Sequence, residues 1–189
     1  YKGYVLLILT GVYTFNFLDR QLLVILQESI KAELGISDTQ LGLLTGLAFA
    51  LFYVTLGISI ARIADKGNRR NIVVISLAIW SSMTAISGFV TSYWQLLLAR
   101  IGVGVGEAGG SPPSHSIISD YFPPQRRATA LSVYCTGIYI GVLLGYMLGG
   151  WLDQSFGWRV AFLALGIPGI LYALLLLFTV KEPPKGHSD

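Results

Sequence analysis

Six predominantly apolar stretches dominate this chain of 189 residues, each long enough, at about 20 residues, to cross a hydrocarbon core as a helix. They run roughly over 3–26, 40–64, 71–91, 95–121, 128–152 and 160–180. The connectors carry turn and cap chemistry, as in Gly35-Ile36-Ser37-Asp38, Lys66-Gly67-Asn68-Arg69-Arg70 and Phe122-Pro123-Pro124-Gln125. Apolar residues surround most of each stretch instead of forming one stripe, the pattern of helices that face lipid. The fold class that follows is all-α: a multi-pass integral membrane protein of six transmembrane helices. Charged residues make up only 12% of the chain, against about 25% in soluble domains. That is too few to cover a soluble surface, which argues against a cytosolic enzyme and against disorder.

The distribution of positive charge sets the orientation. Lys2, Lys66, Arg69, Arg70, Arg126, Arg127, Lys181 and Lys185 fall on one side of the membrane, and Lys31 and Arg159 on the other. By the positive-inside rule both termini are cytoplasmic, and a cell (inner) membrane is the expected location. The same asymmetry explains the net charge of +3 as topology, so no nucleic-acid partner is expected. The single cysteine, Cys135, excludes an internal disulfide framework and a multi-cysteine metal site. It reads as a small packing residue, and no cofactor or metal is expected. The chain opens at Tyr1 without a methionine or a signal-peptide pattern, so it reads as an internal piece of a longer protein.

An internal echo divides the chain. Asp19 and Glu107 are 88 residues apart, as are Asp65 and Asp153, Gly57 and Gly145, and the small residues Ala61 and Gly149. Three spans per copy is an odd number, so the copies, 1–91 and 92–185, should be inverted in the membrane. Inverted repeats are the build of secondary transporters, with the substrate site near the midplane where repeats meet. The polar tail over 181–189 reads as the start of a central cytoplasmic linker that follows a bundle over 1–185.

Charges inside apolar spans are the costly residues, about 2.5–3.5 kcal/mol each on insertion scales. Asn16 and Arg20 share a face of helix one with Tyr13 a turn earlier, whereas Asp19 projects about 100° away. On helix four, Arg100 and Glu107 are two turns apart on one face, which Ser111 and Ser114 continue. These residues either form neutralised ion pairs that fix packing or build a water-accessible polar centre. In the second reading Glu107 couples protons. Arg20, Asn16, Glu107, Ser111 and Tyr13 bind an anionic substrate group.

The segment Ala61-Arg62-Ile63-Ala64-Asp65-Lys66-Gly67-Asn68-Arg69-Arg70 resembles the loop signature between helices two and three of the major facilitator superfamily, Gly-x-Leu-Ala-Asp-Arg-x-Gly-Arg-Arg. Ala61 replaces the first glycine, and the second has moved to Gly67. The resemblance implies a gating loop in which Asp65, Lys66, Arg69 and Arg70, joined by Asp120 at the inner end of helix four, hold the outward-facing state. Asn16-Phe17-Leu18-Asp19-Arg20 together with Arg100-x-x-x-Gly104-x-Gly106-Glu107-Ala108 resembles the spinster branch. That implies a proton-coupled, alternating-access transporter of an amphipathic anionic lipid, such as a lysophospholipid or a sphingoid phosphate, with Asp19, Arg20 and Glu107 as its coupling and headgroup centre and Asp19 as a second proton-coupling acid beside Glu107. It also implies that a C-terminal six-helix half is missing from a twelve-helix whole. The expected partners are therefore the bilayer, the small amphipathic substrate, protons and that second half. A proton-linked carrier of small organic anions or drugs is the alternative within the class. A six-helix channel or a non-transporting membrane scaffold is the alternative outside it.

Three further patterns carry less. Gly104-Val105-Gly106-Glu107-Ala108-Gly109 fits a dinucleotide fingerprint but lies inside a span, with no preceding strand. Ser111 and His115 share a helix face, yet no separate carboxylate is set to orient the histidine as a hydrolase triad requires. Gly137, Gly141, Gly145 and Gly149 recur every four residues and predict close helix packing, for which a helix of the missing half is one candidate partner.

Overall fold

The structure, a computed structural model, describes residues 1–186, with the side chains of Ala61, Ala64 and Asp65 outside the description. Asp65, expected in the gating loop, therefore lies outside the described residues. Within them every regular element is helical. The six expected spans appear as α1 (Lys2–Leu34), a rod made of α2 (Asp38–Gly42), a π turn (Leu43–Leu47) and α3 (Ala48–Lys66), α4 (Arg69–Ser87), the pair α5 (Tyr93–Glu107) and α6 (Ser111–Tyr121), α7 (Pro124–Phe156), and α8 (Trp158–Thr179).

Local chemistry sets the ends. Gly35 closes α1 at φ 62°, and Gly157 turns α7 into α8 at φ 88°, both backbone regions that favour glycine. Ser37 and Gln40 form a reciprocal capping box at the start of α2, which satisfies two orphan donors. Asn68 caps α4 by accepting from the Asn71 amide at 2.9 Å.

Among the described residues, four helical stretches are long and apolar enough to cross a membrane on length and composition: Asp38–Ile60, Arg69–Ser87, Pro124–Phe156 and Trp158–Thr179. The other two spans depart for a reason. At 33 residues α1 is long enough, so its polar content keeps it out. The fourth span is broken between α5 and α6. There Gly109 and Gly110 donate to the carbonyls three residues back, of Gly106 and Glu107, and Pro112 and Pro113 follow in the first turn of α6. Proline removes the helical donor, so the α ladder stops at Glu107. Polar residues thus keep α1 from qualifying, and the break leaves α5 and α6, at 15 and 11 residues, each too short to cross alone.

The packing joins α1 to α7, and α4 to both α5 and α8. The glycine ridge of α7 explains the first contact. A Cβ at Gly137 would stand 2.7 Å from the Thr10 carbonyl oxygen, one at Gly145 2.9 Å from Gln21 Cβ, and one at Gly141 closer still to the Thr14 carbonyl. The partner of this ridge is α1 of the same bundle, which corrects the expectation of a helix in a missing half. Two apolar clusters fill the interior. One surrounds Leu9, Leu77, Trp80 and Ile117, and the other surrounds Leu22, Leu26, Leu96 and Phe162.

Candidate functional site

The polar centre lies where α1 meets the break between α5 and α6. The Arg20 guanidinium donates through Nε to Glu107 Oε2 at 2.7 Å. Because these two residues touch, helices one and four present them at one depth. The Glu107 side chain is fully buried, whereas that of Arg20 keeps 27% of its surface exposed. One member of the pair is thus sealed in the bundle, and the other reaches open space.

Rings surround the guanidinium. Arg20 Cζ stands 5.1 Å from the centroid of Phe17, 5.1 Å from Phe49 and 5.0 Å from Tyr53. Arg100, itself buried, lies 4.7 Å from the same Phe49 ring. Ring faces attract such cations within about 6 Å of the centroid, so Phe49 serves two arginines at once. Phe49 and Tyr53 escaped the sequence reading. Their only signal was a spacing of four on the second span, which puts both on one helix face.

An aromatic file continues from Arg20. Phe17 meets Tyr13 edge to face at 5.1 Å, Tyr13 stacks on Tyr134 at 4.4 Å, and His115 stands edge-on to Tyr134 at 5.1 Å. Tyr13 and Arg20 are thus joined through the Phe17 ring, and Asn16, between them on α1, is buried. Ser111 is the first residue of α6 and is partly exposed.

Asp19 does not join Arg20. It points to α4, where Thr84 Oγ1 donates to its Oδ2 at 3.2 Å, as expected from a projection about 100° away on the helix wheel. Among the described residues, Asn16 Oδ1, Asp19 Oδ1, Glu107 Oε1 and Arg100 Nε are buried around this centre without a direct partner, a concentration of polar atoms that native interiors rarely leave unsatisfied.

A second cluster lies at the end of the bundle that carries the termini. Arg69, buried at 3% exposure, pairs with Asp120. It also donates to Glu182 Oε1 at 2.7 Å, Ser116 Oγ at 2.8 Å and the Pro183 carbonyl at 3.0 Å. Glu182 Oε2 accepts the Arg70 amide at 2.7 Å, an anion placed at the positive N-terminus of α4. The tail read as the start of a linker thus folds back onto the bundle, and Glu182 is a residue that the sequence reading missed. Lys66 stands apart from this cluster, exposed at the end of α3.

Long apolar helices packed around a polar centre at a broken span define a helical membrane bundle. Residues 9–189 match the family profile of the Major Facilitator Superfamily, and the chain belongs to that family. Among curated relatives, an MFS-type efflux pump of Mycolicibacterium smegmatis is 40% identical over 92% of this chain and 40% of its own length. A probable galactarate/D-glucarate transporter of Bacillus subtilis is 30% identical over 97% of this chain and 42% of that protein. The sphingosine-1-phosphate transporter SPNS2 of Danio rerio is 32% identical over 97% and 38%. The crystal structure of a bacterial homologue of the human lysosomal transporter spinster, inward-facing and unoccupied, superposes with a TM-score of 0.93 at 43% identity over all of this chain and 45% of that one. The spinster-like resemblance seen in the motifs is therefore supported over the whole chain. The chain spans about two fifths of the length of the curated relatives it matches.

Proposed function

We propose that this chain forms the substrate- and proton-binding half of a secondary transporter that moves an amphipathic anionic lipid by alternating access. The observation that carries the proposal is the Arg20–Glu107 pair, one side chain sealed and the other open within an aromatic cage. In this reading an anionic headgroup draws Arg20 away from Glu107, and the apolar tail lies along the rings of Phe17 and Tyr13. Desolvation disfavours an unpaired buried carboxylate. Glu107 therefore takes up a proton when Arg20 turns to substrate and gives it back when the substrate leaves. Asp19, turned toward Thr84, is the second protonation site.

The cluster of Arg69, Arg70 and Asp120, with Asp65 and Lys66 in the same loop, acts as the gate on the side of the termini, which the charge asymmetry assigns to the cytoplasm of a cell membrane. We also infer that 1–91 and 92–185 are inverted copies and that they form one half of a twelve-helix whole. The spinster relatives favour a lysolipid or sphingoid phosphate.

The test is flux of candidate lysolipids in proteoliposomes of the full-length transporter, with and without a pH gradient. Uptake should rise with the gradient, and Glu107→Gln should leave a folded protein whose flux no longer responds to it. An unaltered pH response in that variant would sink the coupling assignment. A second reading, a proton-linked carrier of small organic anions, is favoured by the two guanidinium groups around one ring and by the sugar-acid relative. Flux of galactarate without flux of lysolipid would select it.

A further inference from the structure

Outside the polar centre, the most distinctive surface is an apolar slot between α3 and α4, where Ile63 and Ile75 are exposed. Ile60 and Ile63 from α3 and Ile72, Ile75 and Ile79 from α4 line a groove of about 200 Å³, floored by α5 at Val105 and Gly106. Its side chains are hydrocarbon apart from Ser76. Ile63 also lines a second hollow of about 600 Å³ with Arg62, Lys66 and Gly67. The two spaces therefore meet at one residue. Together they form an apolar slot that opens beneath two cations at the membrane surface.

Its dimensions suit one acyl chain. From Ile72 to Ile79 the slot runs about 10 Å along α4 at 1.5 Å per residue, roughly a third of a ~30 Å hydrocarbon core. At its mouth Arg62 and Lys66 are both exposed. Among the described residues neither forms an ion pair. The neighbouring arginines are already engaged: Arg69 binds Asp120 and Glu182, and Arg70 binds Asn71 and the carbonyls of Leu177 and Val180. Arg62 and Lys66 can bend to the interface while their stems stay on the apolar wall. Two exposed cations above a hydrocarbon slot complement a lipid whose headgroup carries net negative charge. A zwitterionic headgroup would bring its own ammonium against them.

We propose that the slot is a binding site for one anionic phospholipid of the leaflet on the side of the termini, with its phosphate on Arg62 and Lys66 and the upper part of one acyl chain between α3 and α4. This lipid is not the transported substrate, whose proposed site lies two to three turns earlier along α3, at Phe49 and Tyr53. It joins the end of α3 to the start of α4, the segment that forms the loop between spans two and three.

The experiment is lipid titration of the purified full-length transporter read by native mass spectrometry, with phosphatidylglycerol and phosphatidylcholine of identical acyl chains as probes. Phosphatidylglycerol should be retained at least tenfold better, and the preference should weaken as salt rises. Arg62→Gln and Lys66→Gln should each reduce it about fivefold, the effect of one basic residue near an anionic surface, and together they should abolish it. Ile75→Trp, which fills the slot and keeps both cations, should weaken retention as well. Equal retention of the two lipids, an unchanged preference in the double variant, or no effect of Ile75→Trp would each overturn the proposal. So would displacement of phosphatidylglycerol by an equal concentration of glycerol phosphate, which would mark a simple anion site.

Discussion

At the scale of the residue, the geometry of Arg20 separates two roles that charge alone would merge. Lysine at this position keeps a cation beside Glu107 but loses the flat guanidinium that lies against Phe17, Phe49 and Tyr53. A stacked cation of this kind contributes roughly 0.5–2 kcal/mol per ring contact, and lysine does not replace it at a planar site. Arg20→Lys is therefore expected to raise the apparent KM for transport about tenfold while the pH response of flux persists. Phe49→Leu should raise KM by a similar factor, because it removes the ring shared with Arg100. Native KM in both variants would mean that the rings are packing only. The sequence made the α1 members of this site legible, since Tyr13, Asn16 and Arg20 recur at helical spacing. Glu107 was legible because a carboxylate inside a span is costly. Phe49 and Tyr53 were not, because an aromatic pair in an apolar helix carries no sign of what it faces until the neighbouring helix is placed.

At the scale of the element, two helix contacts carry distinct predictions. The ridge on α7 tolerates no side chain where α1 crosses it. Gly137→Val should destabilise the protein by about 1–3 kcal/mol, the usual cost of overpacking, and lower its melting temperature in detergent. Gly150, on the same helix with nothing within 4 Å of an added Cβ, should accept alanine with no loss, since alanine favours helix over glycine by up to about 1 kcal/mol. Periodicity predicted the ridge. It could not name the partner, because small residues every fourth position fit any closely approaching helix.

At the opposite end, α1 is tied to α8 by Glu33. This residue pairs with Arg159 and accepts from Trp158 Nε1 at 2.6 Å. The hydrogen bond from Arg159, then that from Trp158, hold the Glu33 carboxyl below the usual carboxylate range. A carboxyl whose folded-state value is lowered stabilises the fold above its unfolded value and loses that contribution as pH falls through the folded one. Glu33→Gln should accordingly lower the melting temperature at neutral pH. The gap from the unchanged protein should close as the medium is acidified past the ordinary carboxylate range. A gap that does not change with pH would show that the carboxylate charge is irrelevant to the clamp.

At the scale of the whole molecule, the tail decides how the bundle is closed at the end that carries the termini. The apolar runs made six spans legible within a few residues, but nothing in Lys181-Glu182-Pro183-Pro184-Lys185 distinguished a departing linker from a returning strap. The distinction comes from α4. Its first turn presents unsatisfied amides and the buried guanidinium of Arg69, and Glu182 satisfies both with its two oxygens. Arg69 cannot stay buried on Asp120 alone, because its donors outnumber what one carboxylate accepts in that geometry, and Ser116 and the Pro183 carbonyl take the rest. The strap and the proposed gate thus share one network through Arg69, and releasing either end should loosen the other. Glu182→Gln keeps the shape and removes the charge, so Arg69 is left with one charged partner instead of two. Losing a partner of a buried charge commonly costs several kcal/mol, about 3–5 in buried pairs. Glu182, whose side chain is 21% exposed, should sit below that range. The measurement is limited trypsin digestion of the folded transporter, with cleavage after Lys181 and Lys185 as the readout. Glu182→Gln should accelerate that cleavage severalfold, and Asp120→Asn should do so as well, from the far side of the arginine. If only Glu182→Gln opens the tail, strap and gate are separate structures, and the coupling between them is lost from the argument.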